Sequence, residues 1–247
     1  MVIDDLLASL DGDAAVRHIL VGAHLTVVCS RRCGLASTLS AHPPHGRPQV
    51  RGVGTLHRRT ARELAEYARS EVPIEASIGL AAINSLLEAD DARLVQLNAA
   101  EFLAEHGRHG SVALVGHFPF VERLRPRVGD LWVIELSPEE GDYPASMAPA
   151  LLPRAGVVGV TGSALVNQTL DGLLSHCRPG VPVVLIGPST PMSPVLFRHG
   201  VTVLAGARVT DEESVLRTVS QGASLQQIQG AERVSWVAGP ADLAAVR

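Results

Sequence analysis

Lysine is absent from this 247-residue chain, and all 21 basic side chains other than histidine are arginines. A Schiff-base lysine, a pyridoxal-phosphate anchor and the lysine of a phosphate-binding P-loop are therefore excluded within the chain. Positive charge is not in excess either. Against 25 Asp and Glu the formal charge is −4, so neither nucleic acid nor a membrane is an expected partner. Aromatic residues make up only 3%, so the core must be built from Val, Leu, Ile and Ala. Cysteine is scarce. Cys29, Cys33 and Cys177 are too few and too unevenly placed for a disulfide framework, and reduced thiols are expected. No apolar run approaches the roughly 18 to 20 residues of a membrane span, and the first ten residues are acidic where a signal peptide would be basic. The expected location is the cytoplasm.

What is present is globular in composition, at 46% hydrophobic and 19% charged. From about residue 110 one theme repeats: a short apolar run, a glycine-containing loop, then a helical pattern. Residues 111–116 (SVALVG), 131–136 (LWVIEL), 156–161 (GVVGVT), 182–187 (PVVLIG) and 201–205 (VTVLA) read as buried parallel strands. Residues 164–176, 192–198 and 212–220 read as helices, the last opened by Thr210 and Glu213 at capping-box spacing. This alternation predicts a Rossmann-like, doubly wound parallel sheet with its strand-end loops along one crevice.

The first half differs. Residues 2–10 look helical, and residues 25–29 are a strand candidate. Thr60 and Glu63 start a helix running to about residue 69, again at capping-box spacing. Residues 75–88 (EASIGLAAINSLLE) form a second helix with one apolar face. We expect a small α+β domain over residues 1–95 and a Rossmann-like domain over residues 96–247, joined through residues 90–110, where Asn98 and Glu101 cap a short helix.

The loop after the first of the five strands is GHFPFV, with Gly116 as its single glycine. A dinucleotide fingerprint needs three, so ordinary NAD binding is disfavoured. Glu135 stands 19 positions further on at a strand end, as either a ribose-diol acceptor or an ordinary carboxylate. His117 beside the turn is a metal ligand, an acid/base or a loop hydrogen-bonder. The run SPEEGDYP, with Glu139, Glu140 and Asp142, reads as a solvated loop. Thr161-Gly162-Ser163 opens a helix as an anion cradle or a plain cap, with Asn167 one turn later. The loop from Gly187 through Ser189 and Thr190 carries two prolines and sits where open α/β sheets place ligands. Cys29 and Cys33 are not spaced as a zinc ribbon. His42 and His45 fall in HPPHGRP, which has the look of an exposed loop, and CGLAST offers a small-residue backbone to a ligand. Neither a G-x-S-x-G elbow nor an H-E-x-x-H helix is present.

Six segments, CGLASTL, EASIGLAAINSLL, VGHFPFVERLR, VIELSPEEGDYP, VVGVTGSALVNQTLDGLL and IGPSTPMSPVLFRHGVTVLAG, resemble in order the heavy-metal chelation family, from about residue 5 to residue 222. The resemblance implies an N-terminal domain like that of enolase, a Rossmann-like second domain and a ligand cleft between them. It puts Cys33, Gly34, Ser37 and Ser77 on the N-terminal wall. On the Rossmann-like wall it puts Gly116, His117, Phe118 and Pro119 from the first loop, and Glu135 from the second strand. Thr161, Gly162, Ser163 and Asn167 follow on the third loop, and Gly187, Ser189 and Thr190 on the fourth. The expected function is binding of a metal or a small metal-chelating ligand in that cleft. A transition metal ion is the candidate cofactor and His117 and Cys33 are its candidate ligands. An enzyme using an adenosine-containing cofactor such as S-adenosylmethionine or NAD, or a metabolite-sensing module, is the alternative, and a homodimer is the expected assembly. No arginine lies on the tips of these loops, so anion binding is expected to rest on N–H groups and hydroxyls.

Overall fold

The computed structural model describes residues 1–40, 50–88 and 90–239; His42 and His45 lie outside them. Helix α1 (Val2–Ala8) turns Val2, Ile3, Leu6 and Leu7 inward, the stripe a surface helix uses to dock. Strands β1 (His18–Val21), β2 (Leu25–Cys29) and β3 (Cys33–Ser37) form an antiparallel sheet in that order. Only β2 was legible as a strand. The small residues of β3 read as a ligand-facing segment, but they are small because β3 lies directly on a helix.

That helix is α3. It follows α2 (Ala61–Ala65), whose Thr60–Glu63 capping box is formed as expected, and a 3₁₀ turn at Glu66–Arg69. Helix α3 (Pro73–Leu86) is buried nearly all round, including Ile78, Leu80, Ala82 and Ile83, where one apolar face was expected. It is sandwiched between β2 and β3 on one side and α2 with its 3₁₀ extension on the other. Gly34 makes this approach feasible, because a Cβ there would collide with the Ala81 carbonyl oxygen.

Helix α4 (Ala99–Gly107) is capped by Asn98, whose side chain accepts from the Ala100 N–H. The chain then runs through β4 (Ser111–Val115), α5 (Val121–Leu124), β5 (Asp130–Glu135), the two-residue β6 (Tyr143–Pro144) and α6 (Ala148–Leu151). It continues with β7 (Val157–Thr161), α7 (Ser163–Val166), α8 (Leu170–His176), β8 (Val183–Ile186), α9 (Val195–Arg198), β9 (Val203–Val209), α10 (Glu212–Ser220) and β10 (Ala231–Val237). These strands form a seven-stranded sheet in the order β10-β9-β8-β7-β4-β5-β6, parallel except where β10 pairs antiparallel with β9. All five expected strands are present. The added ones are β6 and β10.

Two local expectations are corrected. The helix expected over residues 164–176 is broken at Gln168, a non-glycine residue with φ of 59°. The cap of α10 is Asp211, which accepts from the Glu213 and Ser214 N–H groups, and not Thr210. An Asp immediately before the helix outcompetes a Thr one residue earlier, since its carboxylate reaches both free N–H groups.

One apolar cluster runs from α1 through α3 to α7–α9 and the parallel strands, with Phe197 edge-on to Trp236. A second lies beneath α10, where Val215 and Val219 meet Leu25, Val27 and Leu35. The two sheets thus share packed helices, and the Ser37 N–H donates to Ser189 Oγ across the junction at 2.8 Å. Among the described residues, no helix is long and apolar enough to cross a membrane.

Candidate functional site

The chain leaves β4 toward β5 and β6 on one side, then returns to build β7, β8 and β9 on the other. Loops after β4 and β7 therefore diverge, and a crevice opens at the strand ends. A cavity of about 640 Å³ occupies it. Its floor is apolar, with Leu39, Val115, Ile134 and Leu173, and its polar groups come from His117, Glu135, Thr161, Asn167 and His176. Among the described residues, no arginine lines it.

Gly116 starts this geometry. Its φ of 110° suits glycine alone, and a Cβ would sit 3.0 Å from Thr161 Cβ. The turn delivers His117, whose backbone N–H donates to Glu135 Oε1 at 2.7 Å, while Oε2 accepts from the Leu136 N–H at 2.8 Å. Glu135 thus ties the loop after β4 to the end of β5, leaving one lone pair per oxygen for any ligand.

The imidazole is held as well. Nδ1 of His117 lies 3.0 Å from Oδ2 of Asp142, whose side chain is 1% exposed although the run around it reads as a solvated loop. Hydrogen bonding to Asp142, reinforced by the charges of Asp142, Glu139 and Glu135 and opposed by partial desolvation, holds the imidazole above its ordinary pKa. With Nδ1 engaged, Nε2 is the nitrogen left for a ligand. Asp142 is the residue that sequence reasoning missed. The available signal was an acidic side chain in the loop after the strand next to His117.

The third loop is more self-contained than expected. The Gly162 N–H donates to the Ile186 carbonyl and the Ser163 N–H to Thr161 Oγ1, and α7 is a single turn. These N–H groups do not form an anion cradle. Asn167 Oδ1 accepts from the Thr169 backbone and hydroxyl, which leaves the Asn167 amide N–H groups for the cavity. Gln168 beside it donates to the Ser70 carbonyl at 2.8 Å, joining this wall to the first half of the chain.

Other sequence-singled residues lie off the cavity. Ser189 is fully buried on the Ser37 N–H, and Thr190 is 3% exposed with no partner for Oγ1 among the described residues. Ser77 Oγ bonds the Pro73 carbonyl and the Leu39 N–H, and Gly34 packs on α3. Pro119 and Gly187 line a separate, smaller pocket, while Phe118 is on the cavity and stacks on Phe120. The N-terminal half contributes Leu39 to the cavity. The reduced-thiol expectation is overturned: Cys29 and Cys33, paired across the β2–β3 hairpin, form a disulfide. Cys33 lines a different pocket from His117, so the two do not share a site. The third thiol, Cys177, is pushed up to about 11 by burial.

The donor set limits what the cavity can hold. Among the described residues, the three His, Cys, Asp or Glu side chains close enough to share an ion are Cys29, Cys33 and Glu212, none of them at this cavity. The cavity itself offers Nε2 of His117, the His176 imidazole and the Glu135 carboxylate with hydroxyl and amide groups, and among the described residues no three of its His, Asp or Glu donors lie close enough to share an ion.

Comparison with known proteins agrees with this architecture. A crystal structure from the DUF364 family of Desulfitobacterium hafniense is 29% identical over 96% of this chain and 98% of its own, with a TM-score of 0.84. A Pyrococcus horikoshii structure from the same family is 20% identical at the same coverage, with a TM-score of 0.79. An uncharacterised protein of Methanocaldococcus jannaschii is 27% identical over 187 residues, 71% of this chain and 70% of that one. Models described as "Putative heavy-metal chelation" match residues 3–87 (DUF4213) and 98–238 (DUF364). The chain, matched over more than half its length by the second of these, belongs to the DUF364 family.

Proposed function

We propose that the cleft binds a small metal chelate, a metal ion already held by an organic ligand, between two domains that divide near residue 95. The observation that carries this reading is the His117–Asp142 pair. A histidine that donates one ring N–H to a buried carboxylate is fixed in the tautomer that presents its other nitrogen's lone pair, the usual support of a metal-bound imidazole. Among the described residues fewer than three His, Cys, Asp or Glu donors of the cleft converge on one point, and a bare ion wants about four. A chelate brings the rest. The volume suits a molecule, and the apolar floor with a few convergent polar groups is how small-molecule sites are commonly built. Leu39 and Leu173 would cover the organic part, and the Asn167 amide and Thr161 hydroxyl would orient it. The family description, heavy-metal chelation, supports a metal as cargo.

The test is calorimetric titration of untagged, oxidised protein with nickel or cobalt nitrilotriacetate and with the bare ions, alongside mass spectrometry of any co-purified organic molecule. Saturable binding of the chelate, lost in His117→Ala, is expected, with no saturable binding of the bare ion. Equal binding by wild type and His117→Ala would sink the reading. Stabilisation by S-adenosylmethionine or NAD that Glu135→Ala abolishes would favour the adenosine-cofactor enzyme in its place.

A further inference from the structure

A second metal site, of different chemistry, lies over the small sheet. The register pairs His18 with Cys29 on β1–β2 and Cys29 with Cys33 on β2–β3. Residues directly opposite one another project from the same face of an antiparallel sheet. His18, Cys29 and Cys33 therefore form one row across three strands. The first turn of α10 lies over that row and contributes Glu212, whose carboxylate falls within 4.8 Å of both sulfurs. His18 Nε2 is 3.7 Å from Glu212 Oε1.

The geometry points to a redox-gated site for a thiophilic divalent cation, with Cys29, Cys33 and Glu212 already close enough to share it and His18, beside Glu212, turning in as the fourth ligand. Two sulfurs with one imidazole and one carboxylate is a donor set that zinc or cadmium accepts in tetrahedral geometry. In the oxidised form both sulfurs are joined to each other and the site is closed. Opening it takes two electrons and two protons: a dithiol reductant gives up its two S–H hydrogens, becomes a disulfide and leaves Cys29 and Cys33 as thiols. The cation then displaces the two thiol protons. At metal–sulfur bonds of about 2.3 Å, tetrahedral coordination needs the sulfurs about 3.8 Å apart, a separation that small side-chain rotations provide on a hairpin pair.

Charge supports the assignment. Two thiolates and a carboxylate around a dication leave a net −1, and Arg17 stands ready to balance it. Its Nη1 donates to Glu212 Oε1 at 2.9 Å and Oε2 at 2.7 Å, and its Nε to the Ser30 carbonyl. A carboxylate that turns one oxygen to the metal keeps the other on Arg17, which then orients it. Cys29 is fully buried, while His18 is 56% exposed, so the cation enters from the His18 edge. The site shares no residue with the cleft and does not rest on the chelate reading.

The experiment is titration of the untagged full chain with Co²⁺, before and after a dithiol reductant, followed by absorbance, then displacement by Cd²⁺. Reduced protein should bind one Co²⁺ with a sulfur-to-cobalt charge-transfer band that oxidised protein lacks. Cys29→Ser and Cys33→Ser should each abolish the two-thiolate spectrum, and Cys177→Ser should not change it. Glu212 is on a partly exposed helix turn, so Glu212→Gln should fold normally and weaken binding by about 10-fold or more, the range typical of lost metal-site support. His117→Ala should leave the band intact. The absence of a charge-transfer band in reduced wild type, its survival in the double serine variant, or unchanged affinity in Glu212→Gln would each overturn the site.

Discussion

The cleft and the hairpin row divide the requirements of metal binding between them. The cleft has room, about 640 Å³, and one well-supported nitrogen. The row over the small sheet, with Glu212 above it, has three ligands within 4.8 Å of one another and its two sulfurs joined. The difference follows from what builds each. Loops diverging at the edge of a parallel sheet leave volume but spread their side chains, whereas paired strands fix side chains a few ångströms apart and leave nothing between them. A molecule suits the first and a bare ion the second.

The largest expected effect tests whether the two regions fold as one. Gly34 lies on β3 next to Cys33 where the hairpin meets α3, and a methyl group there meets the Ala81 carbonyl and the backbone of Ser85 and Asn84. Backbone does not move aside cheaply, so Gly34→Ala should cost on the order of 3 kcal/mol or more in denaturant unfolding. Because one apolar cluster runs from α3 into the parallel strands, the loss should appear as a single shifted transition. Two separate transitions would show that the halves are energetically independent.

Asp142→Asn separates support from ligation in the cleft. An amide cannot hold the imidazole as a carboxylate does, so chelate affinity should fall about 10- to 100-fold, roughly 1.4 to 2.7 kcal/mol. The cobalt spectrum of the reduced hairpin should not move. If both sites weaken together, the variant has disturbed the fold and the comparison fails.

A pH series sharpens the contrast without mutation. The His117 pKa is raised in the folded protein, chiefly by its bond to Asp142. The protonated pair therefore contributes stability that is fully present below the unfolded value, about 6.5, and is lost as pH rises through the folded value. A metal needs the neutral imidazole, so chelate affinity should rise over the window in which this stability is lost. Thermal melts and calorimetry between pH 5 and 9 should thus trend in opposite directions, and Asp142→Asn should move both inflections down. Parallel trends would remove His117 from the ligand set.

Much of this architecture is legible in the sequence, because the parallel strands are apolar runs bounded by glycine and the helix caps are local. Five strands and the Thr60 and Asn98 caps needed no long-range information. What is hidden is pairing. Nothing local to CGLAST says that Cys33 faces Cys29, or that α10 brings Glu212 over both, nearly 180 residues later. Likewise SPEEGDYP is polar enough to be solvent-facing, and only the return of its loop toward β4 buries Asp142. Gly116, His117 and Glu135 do meet, since the parallel register of β4 with β5 places their strand ends side by side. Ser189 and Thr190 follow the same rule of position, yet β3 crosses over that loop and covers it.

That covered loop gives the smallest expected effect, and it runs against the reading of Thr190 as a ligand hydroxyl. Thr190 Oγ1 is buried without a hydrogen-bond partner among the described residues, close to Gly162, where a Cβ would sit 2.9 Å from it. A buried hydroxyl that makes no bond costs the protein its desolvation and returns nothing. Thr190→Val keeps the shape and removes that cost, so the variant should be more stable by about 1 kcal/mol in denaturant unfolding. Chelate binding in the cleft and cobalt binding at the reduced hairpin should both be unchanged, because Thr190 belongs to neither set of contacts. A loss of stability would mean that the hydroxyl has a partner, and a loss of chelate affinity would return the fourth loop to the site.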